Sequence, residues 1–279
     1  LNQHGLTGLW YQPSTNGQGF AIEVFPNLNG PGQGLLSGGW FTYVPGSPGG
    51  VGTQRWFSLQ GDVSSTQGTA NLVIYRSVGG KFDASPIIQP TAVGTASIRF
   101  SDCTNGVFTY SFNSGVPEVG GFSGTINLTR NLPNITCSPG GGSHPDFLMS
   151  GNWFEPETSG QGLILELNPN SPRLFAAWYT YRPNGSQTDG PGGQRWFTIQ
   201  ADYMVGARSF PSLPIYETTG GVFDTTPPPG QPVTVQVGSA NLSVGCTSAT
   251  LHYSFTSGEN AGLNGTIAAT RVGPPPPGC

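Results

Sequence analysis

The chain contains one sequence unit twice. The segment LTGLWYQPSTNGQGFAIEVF at positions 6–25 recurs as MSGNWFEPETSGQGLILELN at 149–168, and QRWF at 54–57 recurs unchanged at 194–197. Further landmarks keep the same order in both copies, among them WFTY and WYTY, GGKFD and GGVFD, and GTINLTR and GTIAATR. A repeat of this length describes a whole folding unit rather than one turn of a solenoid. It predicts two homologous domains, 1–137 and 148–279, joined by a linker at 138–147 in which Gly and Pro replace the periodic pattern.

Each copy has the composition and the periodicity of an all-β domain. The 279 residues include 44 Gly and 26 Pro, yet 11% are aromatic, and the aromatic residues lie in regularly spaced short runs. Within a run the side chains alternate, so that Phe20, Ile22 and Val24 point one way while Ala21 and Glu23 point the other. About eight such runs per copy, separated by Gly-rich breaks, favour an antiparallel up-and-down meander. Because closure removes unpaired strand edges, we predict two tandem β-barrels of about eight strands each.

Charge and cysteine content restrict the partners and the compartment. A net charge of -4 and a single lysine, Lys81, provide no basic surface for nucleic acid. No apolar stretch approaches the roughly 20 residues of a membrane-spanning helix, and no motif requires a metal or another cofactor. The order of the repeat pairs Cys103 with Cys137 and Cys246 with Cys279, whereas four free buried thiols are the alternative. Persistent disulfides predict an extracellular or cell-surface protein from which a signal peptide has been removed.

The two ends of each copy share a short pattern. A G-x-W motif at the start contains Trp10 or Trp153, and the last strand ends in Arg130 or Arg271. This pattern resembles the calycin superfamily, the lipocalin and avidin barrels. The resemblance implies that the tryptophan closes one end of the barrel and that the arginine of the same copy lies over it. Such a cation–π contact contributes roughly 1–2 kcal/mol where it is desolvated.

A longer string covers most of each copy. It reads SGxWxxPxxxGQG and is followed by WYTY and a later tryptophan. The string resembles a repeat found in secreted proteins of Gram-negative bacteria. This resemblance implies secretion and an accessory role, and it supplies no catalytic residues.

Several charged residues recur at matching positions, although only 9% of the chain is charged. We favour a structural interpretation in which the strand glutamate of each copy pairs with the arginine of QRWF, Glu23 with Arg55 and Glu166 with Arg195. The alternative is a glycosidase-like carboxylate pair such as Glu23 with Asp62, in which one acid protonates a leaving oxygen and the other attacks or activates water. No histidine recurs, which excludes a Ser-His-Asp triad repeated in both copies.

The aromatic runs indicate a ligand site. In QRWFSLQ the alternation places a tryptophan, a serine and glutamines on one face, and QRWFTIQ repeats the pattern. An apolar ring with a few directed hydrogen-bonding groups is typical of sites for sugars and small polar ligands, whereas core packing or a contact between domains is the alternative. We expect these faces to line a barrel mouth below the Gly-rich loops at 45–53 and 183–193. The predicted ligand-binding residues are Trp40, Thr42, Trp56, Ser58, Gln60, Trp178, Thr180, Trp196, Thr198 and Gln200.

Three functions fit these features. The first is a secreted, non-catalytic protein that binds a glycan or small ligand at tryptophan-lined sites. The second is a structural subunit of an extracellular filament or surface layer, with copies of itself as partners. The third is a glycoside hydrolase-like enzyme that uses the repeated carboxylates. We favour the first, a non-enzymatic binding protein.

Overall fold

The chain forms two closed antiparallel β-barrels whose strands follow chain order. The computed structural model describes residues 1–132, 135 and 144–279. The strands of the first barrel are β1 Gly8–Tyr11, β2 Gly19–Gly30, β3 Gln33–Tyr43, β4 Gln54–Ser64, β5 Thr69–Arg76, β6 Thr91–Phe100, β7 Asn105–Phe112 and β8 Ser123–Arg130. Those of the second are β9 Gly151–Phe154, β10 Gly162–Asn168, β11 Arg173–Tyr181, β12 Gln194–Asp202, β13 Ser209–Thr219, β14 Val233–Val244, β15 Ser248–Phe255 and β16 Asn264–Arg271. The short 3-10 turns are His4–Leu6, Pro13–Thr15, Val51–Thr53, Phe147–Met149, Pro156–Thr158 and Pro191–Gly193.

Each meander closes on its own first strand. β1 pairs with both β2 and β8, and β9 pairs with both β10 and β16. The predicted fold class, two tandem antiparallel up-and-down barrels with eight strands each, is therefore confirmed.

The alternation of side chains determines the inside and the outside of each barrel wall. Ile22 belongs to the core of the first barrel, whereas its neighbour Ala21 belongs to a separate apolar cluster between the barrels, which we call the seam. The interiors are filled by side chains, with Trp40 in the core of the first barrel and Trp178 in the core of the second. Both tryptophans are 1% exposed, so the barrel interiors are packed cores rather than open cups.

Each barrel also inserts an aromatic side chain into the other. Phe82, from the β5–β6 connection, lies in the second core with its ring centre 5.3 Å from that of Trp178 and 5.5 Å from that of Tyr253. Phe223, from the β13–β14 connection, lies in the first core, 5.2 Å from Trp40. We call Phe82 and Phe223 the plugs. Because each core includes a ring from the other barrel, the two barrels are interlocked.

The glutamine of each GQG motif holds the plug that arrives from the other barrel. Gln18 donates from Nε2 to the Val222 carbonyl at 2.9 Å and accepts at Oε1 from the backbone N–H of Asp224 at 3.2 Å. Gln161 makes the matching pair of bonds to the other plug loop, at 3.1 and 3.0 Å. The recurrence of GQG and GGxFD in the sequence thus reflects one contact made twice.

Glycine is required where the plug loops cross the other barrel. A Cβ atom at Gly221 would overlap the ring of Tyr43, and a Cβ atom at Gly80 would overlap the ring of Tyr181. These two glycines precede the plugs by two residues, so the close approach allows the plug rings to reach the opposite core.

One predicted disulfide is present in the described part of the chain. Cys246 and Cys279 are joined, with an S–S distance of 2.02 Å, which ties the C-terminal tail to the second barrel. The predicted pairing of Cys103 with Cys137 lies outside the described residues, because Cys137 does, and so does the predicted linker up to position 143. Within residues 1–132 and 144–279, no helix has the length and hydropathy needed to cross a membrane.

The plugs predict that a substitution in one barrel loosens the other. Phe82→Ala removes a buried ring from the second core, and we expect it to lower the free energy of unfolding by about 3–5 kcal/mol. Amide hydrogen exchange should accelerate in β15, around Tyr253, more than in β7 of the first barrel. The control is Ile87→Ala, in the same connection, where the side chain is 51% exposed. An acceleration confined to the first barrel would show that the plug does not support the second core.

Candidate functional site

The predicted tryptophans lie on opposite faces of the barrel walls and do not form one site. Trp40 and Trp178 point inward and belong to the cores, whereas Trp56 and Trp196 point outward into the seam. The prediction that they share a barrel mouth is therefore wrong. Strands β3 and β4 pair with Phe41 opposite Trp56, so Trp40 and Trp56 are out of phase in the pleat and face opposite sides.

The predicted threonines on β3 and β11 bind the glutamine of their own barrel and the tryptophan of the opposite barrel. Thr42 is buried and donates its hydroxyl to Gln18 Oε1 at 2.7 Å, and Thr180 does the same to Gln161 Oε1 at 2.6 Å. Their carbonyls accept from the opposite barrel: the indole N–H of Trp196 donates to Thr42 at 3.2 Å, and that of Trp56 donates to Thr180 at 3.0 Å. These four residues therefore serve the contact between barrels.

Three of the predicted ligand residues line a cleft that opens beside the seam. Trp196, Thr198 and Gln200 lie along the outer face of β12, together with Phe41 of the first barrel and Phe175 of β11. The volume of this cleft, which we call the large cleft, is about 250 Å³. Phe175 is the direct cross-strand neighbour of Gln200, which places an aromatic ring beside an amide.

Polar groups in the large cleft are available to a ligand. The side chains of Thr198, Gln200 and Asn131 line the cleft, and among the described residues none of them has a hydrogen-bond partner. Phe175, Thr198 and Gln200 are each partly exposed. The cleft thus combines an aromatic surface with unpaired hydroxyl and amide groups, the composition that typifies sites for small polar molecules.

The repeat produces a second and smaller cleft on the other side of the seam. It has a volume of about 130 Å³ and is lined by Trp56 and Ser58, the counterparts of Trp196 and Thr198. Ser37 occupies the position that corresponds to Phe175, so this small cleft lacks the ring that Phe175 supplies, although Phe41, Phe57 and Tyr179 also line it. Gln60, the counterpart of Gln200, is exposed and lines neither cleft.

The predicted ion pairs within each copy are wrong. Arg55 binds Glu118, with Nη2 2.6 Å from the carboxylate, and Arg195 binds Glu259 at 2.7 Å. Glu23 cannot reach Arg55 because it points out of the barrel wall, whereas Arg55 alternates with the outward Trp56 and points in. The same argument separates Glu166 from Arg195.

Each strand glutamate instead pairs across the seam with the closing arginine of the other barrel. Glu23 lies 2.6 Å from Nη2 of Arg271 and accepts from the backbone N–H of Asn152 at 2.6 Å. Glu166 lies 3.1 Å from Nη2 of Arg130 and accepts from the N–H of Leu9 at 2.8 Å. All four charged side chains are buried.

The arginines also hold the position that the calycin resemblance implied. The guanidinium carbon of Arg130 lies 5.4 Å from the centre of the Trp10 ring, and that of Arg271 lies 5.4 Å from the Trp153 ring. Arg130 donates further to the Gly5 carbonyl at 2.9 Å. Each arginine therefore binds its own barrel end and the glutamate of the opposite barrel at once.

Glycine in the G-x-W motif makes room for these carboxylates. A Cβ atom at Gly8 would collide with the carboxylate of Glu166, and one at Gly151 would collide with that of Glu23. Both glycines have positive φ, 136° and 152°, a region that other residues rarely adopt. In the G-x-W motif the tryptophan therefore packs at the barrel end, and the glycine leaves space for the glutamate of the opposite barrel.

Burial shifts the titration of the seam glutamates. Burial raises the pKa of Glu23 to about 7, while Arg271 and the N–H of Asn152 act in the opposite direction. Burial likewise raises the pKa of Glu166, against the effect of Arg130. Because the folded-state pKa of Glu23 exceeds its ordinary value of 4.5, folding takes up a proton between these two pH values, and the free energy of unfolding falls as pH rises through that window.

Phe175, Asn131 and Phe41 line the large cleft but were not predicted as ligand residues. The pattern shared by the two copies does not mark Phe175 and Asn131, because their counterparts are Ser37 and Val272. A comparison of the outward positions that differ between the copies would have identified them.

Comparison with known proteins gives no further assignment. A scan against protein-family models found no match, and no curated protein matches the chain.

The ion pairs across the seam predict that replacing one arginine lowers the free energy of unfolding by an amount that depends on pH. Arg271→Met leaves Glu23 buried without its cation, and we expect a loss of about 3–5 kcal/mol in unfolding free energy at neutral pH. Because the pKa of Glu23 then rises further, the loss should shrink at pH 5 and grow above pH 7. Denaturant titrations across this range would measure it.

Two further variants make this prediction specific. Adding Glu23→Gln to Arg271→Met should recover part of the stability above pH 7, because it removes the unpaired carboxylate. Arg173→Met breaks the exposed pair with Asp202 and should cost less than about 1 kcal/mol. A double variant that is less stable than Arg271→Met would contradict the pairing.

Proposed function

We propose that this chain is a secreted, non-catalytic binding protein that takes a glycan or another small polar ligand into the large cleft. The observation that carries the proposal is the cleft itself, in which the rings of Phe175 and Trp196 lie beside the side chains of Thr198 and Gln200. Sites of this composition between domains are common places for ligands.

The barrel interiors support the same choice, because in the described part of the chain both interiors are filled by side chains. Trp40 and Trp178 occupy the two cores, and Phe82 and Phe223 extend these cores from the opposite barrels. A ligand would have to displace a plug to enter either barrel. Binding in the large cleft requires no such change.

The carboxylates favour a structural role over hydrolysis. Glu23 is buried against Arg271, whereas Asp62 is exposed and accepts from Asn29 Nδ2 at 3.0 Å. Neither acid lines the large or the small cleft. A glycosidase requires two carboxylates that flank one bound sugar, and the pair considered from the sequence does not meet this requirement.

The disulfide supports an extracellular or cell-surface location. The bond between Cys246 and Cys279 closes a loop with a sequence separation of 33 residues. Such bonds persist in oxidising compartments. The proposed secretion therefore agrees with the covalent structure of the second barrel.

The proposal predicts loss of binding in a cleft variant. Binding to a glycan array and to a library of small polar molecules would be compared between the wild type and the double variant Thr198→Val, Gln200→Ala. Each removed hydrogen bond contributes about 1 kcal/mol, so the affinity of any cleft ligand should fall by at least about tenfold.

A matched control exists in the other copy. Ser58→Val with Gln60→Ala alters the corresponding positions of the first barrel and should leave the affinity unchanged. No ligand for the wild type, or a ligand whose affinity the cleft variant retains, would refute the proposal. Particles larger than a single chain in light scattering, with no ligand bound, would favour the structural subunit instead.

A further inference from the structure

We infer that the large cleft binds one neutral saccharide unit per chain. This inference rests on the proposed binding function, and it adds the chemical class and the number of ligands. Three properties of the cleft carry it: the absence of charge, the type of unpaired polar groups, and the difference between the two copies.

The first property is electrical neutrality. Of the described residues that line the large cleft, none is Asp, Glu, Lys, Arg or His. Charged residues next to lining residues in the chain or the sheet are paired with each other: Arg130, which precedes Asn131, binds Glu166, and Arg173, two residues from Phe175, binds Asp202. A carboxylate, sulfate or ammonium group that entered the cleft would lose hydration without gaining an opposite charge. The cleft therefore selects against charged ligands.

The second property is the kind of polar group that lacks a partner. The side chains of Gln200 and Asn131 supply amide donors and acceptors, and Thr198 supplies a hydroxyl. Sugar hydroxyls both donate and accept, so they can pair with all three. A purely apolar ligand would bury these groups without partners, which is unfavourable. The partly exposed ring of Phe175 offers an apolar surface for the C–H face of a sugar ring.

The third property is the asymmetry of the two clefts. The small cleft has Ser37 in place of Phe175 and Val272 in place of Asn131, and Gln60 does not line it. Its volume is about 130 Å³, against about 250 Å³ for the large cleft. The large cleft lies just below the range of about 300–1,000 Å³ that is typical of sites for drug-sized ligands. It therefore accommodates one terminal sugar unit, whereas the small cleft does not.

The test is isothermal titration of the full chain with three series of oligosaccharides that differ only in charge: oligomers of neutral hexoses, of the corresponding uronic acids and of the corresponding amino sugars. We expect a member of the neutral series to bind with a stoichiometry of one. Its acidic and basic counterparts should bind at least about tenfold more weakly. The variant Thr198→Val, Gln200→Ala should lose the neutral ligand, whereas Ser58→Val, Gln60→Ala should retain it.

The outcomes separate the inference from the function on which it rests. An acidic or basic oligomer that binds as tightly as the neutral one, and that the large-cleft variant loses, overturns neutrality but leaves a binding protein. A stoichiometry of two, reduced to one by the small-cleft variant, overturns the single site. If no oligosaccharide binds but another small polar molecule is lost by the large-cleft variant, the saccharide class is wrong. If nothing binds, the proposed function fails with it.

Discussion

The ion pairs that cross the seam are the contacts on which the arrangement of this protein depends. Arg130 and Arg271 each lie over the tryptophan at the end of their own barrel. Each arginine also binds the buried strand glutamate of the opposite barrel. Closing a barrel and joining it to its neighbour are therefore done by the same guanidinium group. A buried charge of this kind is tolerated only when it is paired and hydrogen-bonded, so each barrel is complete only in the presence of the other.

This dependence changes where a ligand can bind. Eight-stranded barrels that hold a small molecule do so inside the barrel, through an open end. Here aromatic side chains fill the interior of each barrel. Phe82 of the first barrel lies in the core of the second, and Phe223 of the second lies in the core of the first. The large and the small cleft instead lie where two convex barrels meet. The proposed site thus follows from the interlock, which closes the barrels and forms the cleft.

Much of the fold could be predicted from the sequence, and much of the site could not. The period-two pattern predicted the strands and the closed barrels, and it placed Trp56 and Arg55 on opposite faces of their strand without showing which face is the outer one. It could not predict what Trp56 meets outside the wall, because the neighbour across the seam is distant in the chain. The error over Glu23 has the same origin: its partner, Arg271, is 248 residues away. When both copies contain the same glutamate and the same arginine, pairing within a copy and pairing between copies leave the same sequence pattern. The alternation of side chains along β4 does distinguish them. Arg55 and Trp56 point to opposite faces of the wall, so Arg55 points inward when Trp56 points outward and cannot meet the outward Glu23.

The repeat itself explains which positions changed between the copies. Each of these contacts across the seam is made twice, once in each direction. The residues of the first copy that contact the second copy have counterparts in the second copy that make the same contact with the first. These residues are the glutamine of GQG, the tryptophan of QRWF, the strand glutamate, the closing arginine and the plug. A substitution in one copy would break one of the two matched contacts. The copies therefore remain alike at these positions. Residues beside the seam are free of this constraint, and there the copies differ: Phe175 corresponds to Ser37, and Asn131 corresponds to Val272. The similarity of the copies therefore marks the positions that hold the barrels together. Some apolar seam positions differ as well, such as Ala21 and Ile164, but the differences at Phe175 and Asn131 make one of the two clefts larger and more aromatic than the other.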